Sequence, residues 1–327
     1  MPIDHFVSQT YLRNFTNNNG DIFPYYKSGN IIGKAKKTKS VCCENDGDTN
    51  EYFENARILD EYLKIFENVW AKNIENLAND IIDVEIKFEL AGYISYLKNC
   101  NPTAKRLGQK SISGILKPVA DNLLQREQSN VECYSESDLA DIKKCLKAGG
   151  LKIEVDKMFA HAMGIEILTD MATNLCRFPW LILRNETDIP FITSDNPAVM
   201  YFHNDNVQFG ETFVPVTPRL AILISPTVGK TGIDLDEVMK TGNPNDRFGL
   251  VKPKYVKEFN KLIIKCAEKT VLHSCRAEWL EKLVNKYRNW RMETLTDTLL
   301  TPSESYVINR PRPVEISPYS TPLNSAG

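Results

Sequence analysis

A chain of 327 residues is long enough for one large domain or two ordinary ones. Its 42% hydrophobic and 25% charged residues are ordinary for a globular protein, and 40 basic against 42 acidic side chains leave a formal charge of -2. That balance excludes bulk attraction to nucleic acid or to an anionic bilayer and leaves only a local basic patch as a route to either. No apolar run approaches the roughly 18–20 residues of a membrane span. The opening Met1-Pro2-Ile3-Asp4-His5 has neither the basic nor the apolar part of a secretory signal, so a cytoplasmic protein without a membrane partner is expected.

Residues 5–15 read His5-Phe6-Val7-Ser8-Gln9-Thr10-Tyr11-Leu12-Arg13-Asn14-Phe15. Ser8 is placed to cap a short helix with Tyr11, Leu12 and Phe15 on its apolar side, and His5 and Gln9, four apart, lie close across its first turn. Asn17 to Asp21 signal a turn, and two short strands are expected at Ile22–Tyr26 and Asn30–Ile32. Lys34, Lys36, Lys37 and Lys39 read as a solvated loop. The stretch Asp46-Gly47-Asp48-Thr49-Asn50-Glu51 has oxygen ligands in the style of a calcium loop. It has Glu51 where the glycine should stand and Arg57 where the bidentate carboxylate should stand, so it reads as a helix-initiating loop.

From 54 to 82, Leu59, Leu63, Phe66, Trp70, Ile74, Leu77 and Ile81 recur at helical spacing and form one apolar stripe, with Glu67 at its rim. Further helices are expected over Phe88–Leu97, Arg106–Gln125, Glu136–Lys147 and Asp156–Cys176, with a break at Gly149-Gly150. His161, in line with Ile165 and Leu168, reads as a packed core histidine. At Phe178-Pro179 the pattern changes. Trp180–Arg184, Pro190–Thr193, Ala198–Phe202, Thr212–Val216 and Leu220–Ser225 are short runs of branched and aromatic residues between turn residues. Val271–Ser274 is one more candidate strand, and helices return over Pro253–Lys269 and Arg276–Trp290.

The expected fold is therefore α+β, a helical layer packed on a small, mainly antiparallel strand meander. Residues 1–291 would form one mixed domain, with a helical middle at 54–176, strands at 178–226 and closing helices at 253–291. Residues 292–327, with repeated Pro, Ser and Thr, are expected to be an irregular or disordered tail. None of the eight cysteines forms C-x-x-C or a zinc-finger spacing, and reduced thiols are expected. Walker, G-x-G-x-x-G, G-x-S-x-G and H-E-x-x-H motifs are absent, which removes P-loop hydrolysis, dinucleotide oxidoreduction and the common serine-hydrolase layout from the leading readings.

The polar interruption Thr193-Ser194-Asp195-Asn196-Pro197, held between two apolar runs, is the first candidate for chemistry. The opening block, with its His5 and Tyr11-Leu12 followed by Phe15, resembles that of the uncharacterised microbial family called domain of unknown function 4238. The Gly20-Asp21-Ile22-Phe23 turn, the helix with Glu67, Trp180-Leu181-Ile182-Leu183, Phe191 to Pro197, Val214 to Pro218 and the helix with Asn260 and Ala267 follow in similar order, over about residues 5–275. This chain has Asn101-Pro102 where an arginine-proline pair is expected, so no arginine role carries over. The resemblance implies no activity.

Read from the residues, His5, Asp195 and Glu67 would supply acid/base groups of a hydrolase, a metal-assisted phosphodiesterase or nuclease. Gln9, Ser194, Asn196 and Asn260 would position substrate. His5 and Asp195 are the candidate metal ligands. A divalent metal suits them, though their spacing identifies none. A nucleic acid or nucleotide remains an open partner. The alternative is a non-catalytic module that senses a ligand or binds another protein, in a phage-defence or toxin system. The other reading of Ser194 and Asp195 is that they make the local side-chain-to-backbone bonds of an Asx turn before Pro197.

Overall fold

The computed structural model describes residues 2–126, 154–202, 210–226, 243–300 and 305–316, together with positions 137, 140, 141 and 144. β1 (Ile3–His5) pairs antiparallel with β4 (Cys43–Asn45), and Ser8 caps α1 (Gln9–Leu12), whose buried Tyr11 and Leu12 begin the core with Phe15. β2 (Asp21–Tyr26) takes β3 (Lys36–Lys37) as its partner rather than residues 30–32, of which Ile32 alone makes a bridge, to Tyr25. Lys37 meets Asp21 at 2.8 Å and Lys36 lies 5.9 Å from the Tyr26 ring centroid, so both are used on the edge of this hairpin.

Two long helices follow, α2 (Ile58–Ala78) and α3 (Val84–Asn99). The apolar stripe of α2 is buried from Leu59 to Leu77, but Ile81 is 51% exposed, because the helix closes at Asn79 and Asp80 turns the chain with a φ of 60°. Asp83 starts α3 by accepting the Ile86 N–H at 2.8 Å. The helices approach closely at Gly92, where a Cβ would stand 2.3 Å from the Phe66 ring. Asn101 caps α4 (Pro102–Arg126), its Oδ1 accepting the Ala104 N–H at 2.9 Å. Pro102 fills the first helical position, where no N–H is needed. The helix expected over 156–176 divides at Ile167 into α5 (Lys157–Glu166) and α6 (Leu168–Arg177). The helix expected over Glu136–Lys147 and the glycine pair after it lie outside the described residues, apart from the four isolated positions.

The strands that follow are β5 (Trp180–Arg184), β6 (Thr193–Ser194), β7 (Val199–Tyr201), β8 (Glu211–Thr217), β9 (Leu220–Ile224) and β10 (Arg247–Leu250). Five of them form a sheet in the order β10-β5-β9-β8-β7, antiparallel except where β10 lies parallel to β5. β6 leaves that sheet and joins a second one, β3-β2-β11-β6, through β11 (Thr270–His273). The chain is thus α+β, with mostly antiparallel sheets. Alternation along the strands divides the core in two. Trp180 and Ile182 of β5 with Ile222 and Ile224 of β9 pack toward the helical layer. Leu183 and Ala221 pack in a second core with Val256, Ile263 and Leu280, which come from α7 (Pro253–Cys266) and α8 (Glu278–Lys286).

The largest departure from expectation lies after residue 290. In place of an irregular or disordered arm, β12 (Trp290–Leu300) and β13 (Ser305–Glu315) pair antiparallel from Trp290↔Glu315 to Leu300↔Ser305. Thr294, Thr296 and Thr298 recur at period two, a strand pattern that the accompanying prolines obscure. Pro311 and Pro313 are tolerated because both strands of a two-stranded ribbon are edges. Residues 317–327 lie outside the described residues. Among the described residues no helix is long and apolar enough to cross a membrane, and Cys42, Cys43, Cys100, Cys176, Cys266 and Cys275 are free thiols.

Candidate functional site

Phe191 and Ile192 are buried in the second core, so the polar residues after them emerge at the junction of β6, the end of α7 and the start of α4. Ser194 bonds within the loop: its Oγ donates to the Asn196 carbonyl at 3.0 Å and accepts the Asn196 N–H at 3.1 Å. Asp195 accepts three backbone N–H groups, from Glu268 at 2.9 Å, Lys269 at 2.7 Å and Thr270 at 2.8 Å. These are the amides that follow α7, and the carboxylate closes the turn into β11. Burial pushes the Asp195 pKa up to about 6, against the pull of those three donors. Asn196 donates to the Cys266 carbonyl at 2.9 Å and accepts from Asn101 Nδ2 at 3.0 Å. Asn260 holds the preceding segment, accepting the Ile192 N–H at 3.2 Å and donating to the Pro190 carbonyl at 2.9 Å.

The N-terminal block reaches this loop through Tyr11. Its hydroxyl bonds Thr193 Oγ1 at 2.8 Å and donates to the Pro215 carbonyl at 2.5 Å, and its ring begins an aromatic run through Trp70 to Tyr93 and Tyr96. His5 lies on β1, its carbonyl accepting from the Tyr96 hydroxyl and its Nε2 buried with no hydrogen-bond partner among the described residues. Gln9 accepts from Thr38 Oγ1 at 3.4 Å. Glu67 is half-buried on α2; burial pushes the Tyr93 and Tyr96 hydroxyls well up, and the Glu67 charge adds to that. No hydrogen bond or ion pair among the described residues joins His5, Glu67 and Asp195 to one another, although the His5 carbonyl and the Glu67 charge both act on Tyr96. Among the described residues no group of three or more His, Cys, Asp or Glu side chains is placed to hold a metal ion.

A ligand-sized space exists elsewhere. Where α3 to α6 face β7 and the β12–β13 hairpin there is a cavity of about 510 Å3, lined by Leu107, Ile112, Met163, Met171, Met200 and Met292 among others, and by Asn196. Its size lies within the range of about 300–1,000 Å3 typical of small-molecule sites. Asn196 is the residue that the polar loop and the cavity share. A second cavity of about 380 Å3 adjoins it through Lys98, Ile167, Met171 and Met200, and adds Thr212 and Asn174.

Lys98 stands at that junction, on the last turn of α3. Its Nζ donates to Thr212 Oγ1 at 3.3 Å and approaches Met200 Sδ at 3.6 Å, and among the described residues no carboxylate pairs with it. Burial pulls its pKa down to about 8. Lys98 is half-buried, and the fully buried lysines are used differently. Lys87 meets Asp246 at 2.8 Å, Lys105 donates to the Gly47 carbonyl at 2.9 Å, and Lys27 donates to the carbonyls of Ile264 and Ala267 at 2.8 Å. Sequence reasoning passes over Lys98, because a lysine in the last turn of a helix is the ordinary complement to its dipole. The cavity methionines come from four separate segments, and no local pattern joins them.

Helices on one side, mostly antiparallel strands on the other and an apolar cavity between them describe an α+β protein. Over residues 4–277 the chain matches the family described as "Protein of unknown function (DUF4238)", and it belongs to that family. No curated protein and no solved structure matches it. The β12–β13 hairpin, which supplies Met292, Thr294 and Pro311 to the cavity, lies beyond the matched residues.

Proposed function

We propose that this chain is a ligand-binding module that takes an elongated, largely apolar small molecule into the cavity between α3–α6 and β7. The carrying observation is the apolar, methionine-lined space that runs past a single lysine into a second cavity. Methionine side chains are flexible and polarisable, and they suit a site that must close around an unbranched chain. Hydrolysis at His5 and Asp195, with Glu67 assisting, is less well supported, since Asp195 already accepts three backbone N–H groups, which leaves one lone pair of Oδ1 for a metal or a substrate. Gln9, Ser194 and Asn260 are likewise engaged within the protein, and their contacts favour a framework role.

The test uses the full chain with dodecanol, a neutral ligand, followed by titration calorimetry and thermal unfolding. Saturable binding with a rise in Tm is expected, and Ile112→Trp, which fills the cavity wall, should weaken it at least tenfold. Absence of binding by any long-chain molecule, or equal binding by Ile112→Trp, would sink the reading.

A further inference from the structure

We infer that the ligand is an amphiphile ending in a single carboxylate, with its head at Lys98 Nζ and Thr212 Oγ1 and its chain along Met171, Met163 and Met292. This rests on the ligand-binding reading above and names the chemistry of the molecule bound. The argument begins with the pairing of charges. Lys98 is half-buried, and an ammonium partly withdrawn from water gains from acceptors or an anion that satisfy its protons. Lys87 has Asp246, and Lys27 has backbone carbonyls at the end of α7, but Lys98 has only one hydroxyl and one thioether among the described residues. A thioether is a weak acceptor, so at least one of the three ammonium protons is left for a ligand. Thr212 Oγ1 accepts from Lys98, which leaves the Thr212 hydroxyl proton available as a second donor at the same place. An ammonium and a hydroxyl proton side by side suit the two oxygens of a carboxylate.

The surroundings restrict the rest of the molecule. Asn99, which also lines the larger cavity, has its Nδ2 directed at the Ser95 carbonyl at 3.1 Å and at Met171 Sδ at 2.9 Å, so it does not extend the head-group site. Asp170 stands exposed on the smaller cavity and disfavours an anion placed deep on that side. The head is thereby confined to the junction, and the larger, apolar cavity is left for the chain. A doubly charged phosphate would find one cation here, while a monocarboxylate finds its charge matched.

The experiment compares dodecanoate, dodecanol and dodecylamine by titration calorimetry on the full chain, and on Lys98→Met and Lys98→Arg, near neutral pH. Dodecanoate should bind roughly 10–100-fold more tightly than dodecanol, the range expected of a charge-assisted hydrogen bond. Lys98→Met should erase that preference while dodecanol binding persists, which also shows that the variant is folded, and Lys98→Arg should keep a preference for the anion. Equal affinity for acid and alcohol, or a preference for the amine, would overturn the carboxylate assignment and leave the cavity reading intact. Failure of all three to bind would overturn both.

Discussion

Two side chains of opposite charge, the buried Asp195 and the half-buried Lys98, differ in how their polar atoms are satisfied. Asp195 has its carboxylate engaged by the amides of Glu268, Lys269 and Thr270, so its removal leaves three donors of a part-buried turn without their acceptor. Asp195→Ala should therefore cost about 3–5 kcal/mol of stability, and Asp195→Asn less, since one acceptor oxygen remains. Chemical denaturation checks this. An alanine variant as stable as the parent would mean that the turn after α7 does not depend on Asp195, and would restore the residue as a candidate for chemistry. Lys98 is the opposite case. Its pKa in the fold, about 8, lies below the ordinary 10.5, so the folded state is penalised while the amine is protonated. The penalty is full below about pH 8 and fades as pH rises toward 10.5, where the unfolded chain also loses the proton. Lys98→Met should thus raise Tm in the absence of ligand at pH 7, by about 1–2 kcal/mol or roughly 2–4 °C, and the gain should shrink between pH 8 and 10. A lysine that lowers the stability of the empty protein is expected of a binding residue.

At the scale of elements, legibility in the sequence followed periodicity. The stripe from Leu59 to Leu77 identified α2, because it repeats a single face against a single core, and the short branched and aromatic runs Trp180–Arg184 and Leu220–Ile224 identified β5 and β9, which are covered by a core on each face. The end of α2 was misplaced by one turn, since Ile81 continues the spacing while Asn79 and Asp80 end the helix by backbone conformation. The sheet to which β6 belongs was not legible. Two residues, Thr193 and Ser194, pair with β11 nearly eighty positions later, and no local pattern encodes such a partner. The hairpin after 290 was missed because its prolines and threonines have the composition of a tail, although Thr294, Thr296 and Thr298 keep the period of a strand. The polar loop was located correctly as a junction, yet its side chains face backbone groups that no sequence spacing reveals. The cavity itself was invisible, since its walls come from α3, α4, α5, α6, β7 and the hairpin.

For the molecule as a whole, the question is what holds the hairpin against the rest, because it completes the cavity from outside the part matched by the family. Arg106 of α4 supplies one connection to several elements at once. Its Nε and Nη2 bond both carboxylate oxygens of Glu268 at 2.9 and 2.8 Å, while Nη1 meets Glu293 at 3.1 Å and Nη2 also donates to the Met292 carbonyl at 2.7 Å. Glu293 is held as well by Lys110 and by Arg291, and both glutamates are kept below the usual carboxylate range by these cations despite their burial. One guanidinium thus ties a helix of the cavity floor, the turn closed by Asp195 and the first strand of the hairpin. Arg106→Ala strands Glu268 with Thr103 as its remaining side-chain donor, while Glu293 keeps two cations, so the damage should be unequal. A loss of about 2–4 kcal/mol is expected, as for breaking a buried charge pair by removing one partner. Hydrogen exchange should quicken in β12 and β13 more than in α2 or β9, and ligand affinity should fall because Met292 is no longer fixed. Uniform acceleration across the whole chain would show instead that Arg106 supports the fold globally and that the hairpin is not a separable wall of the site.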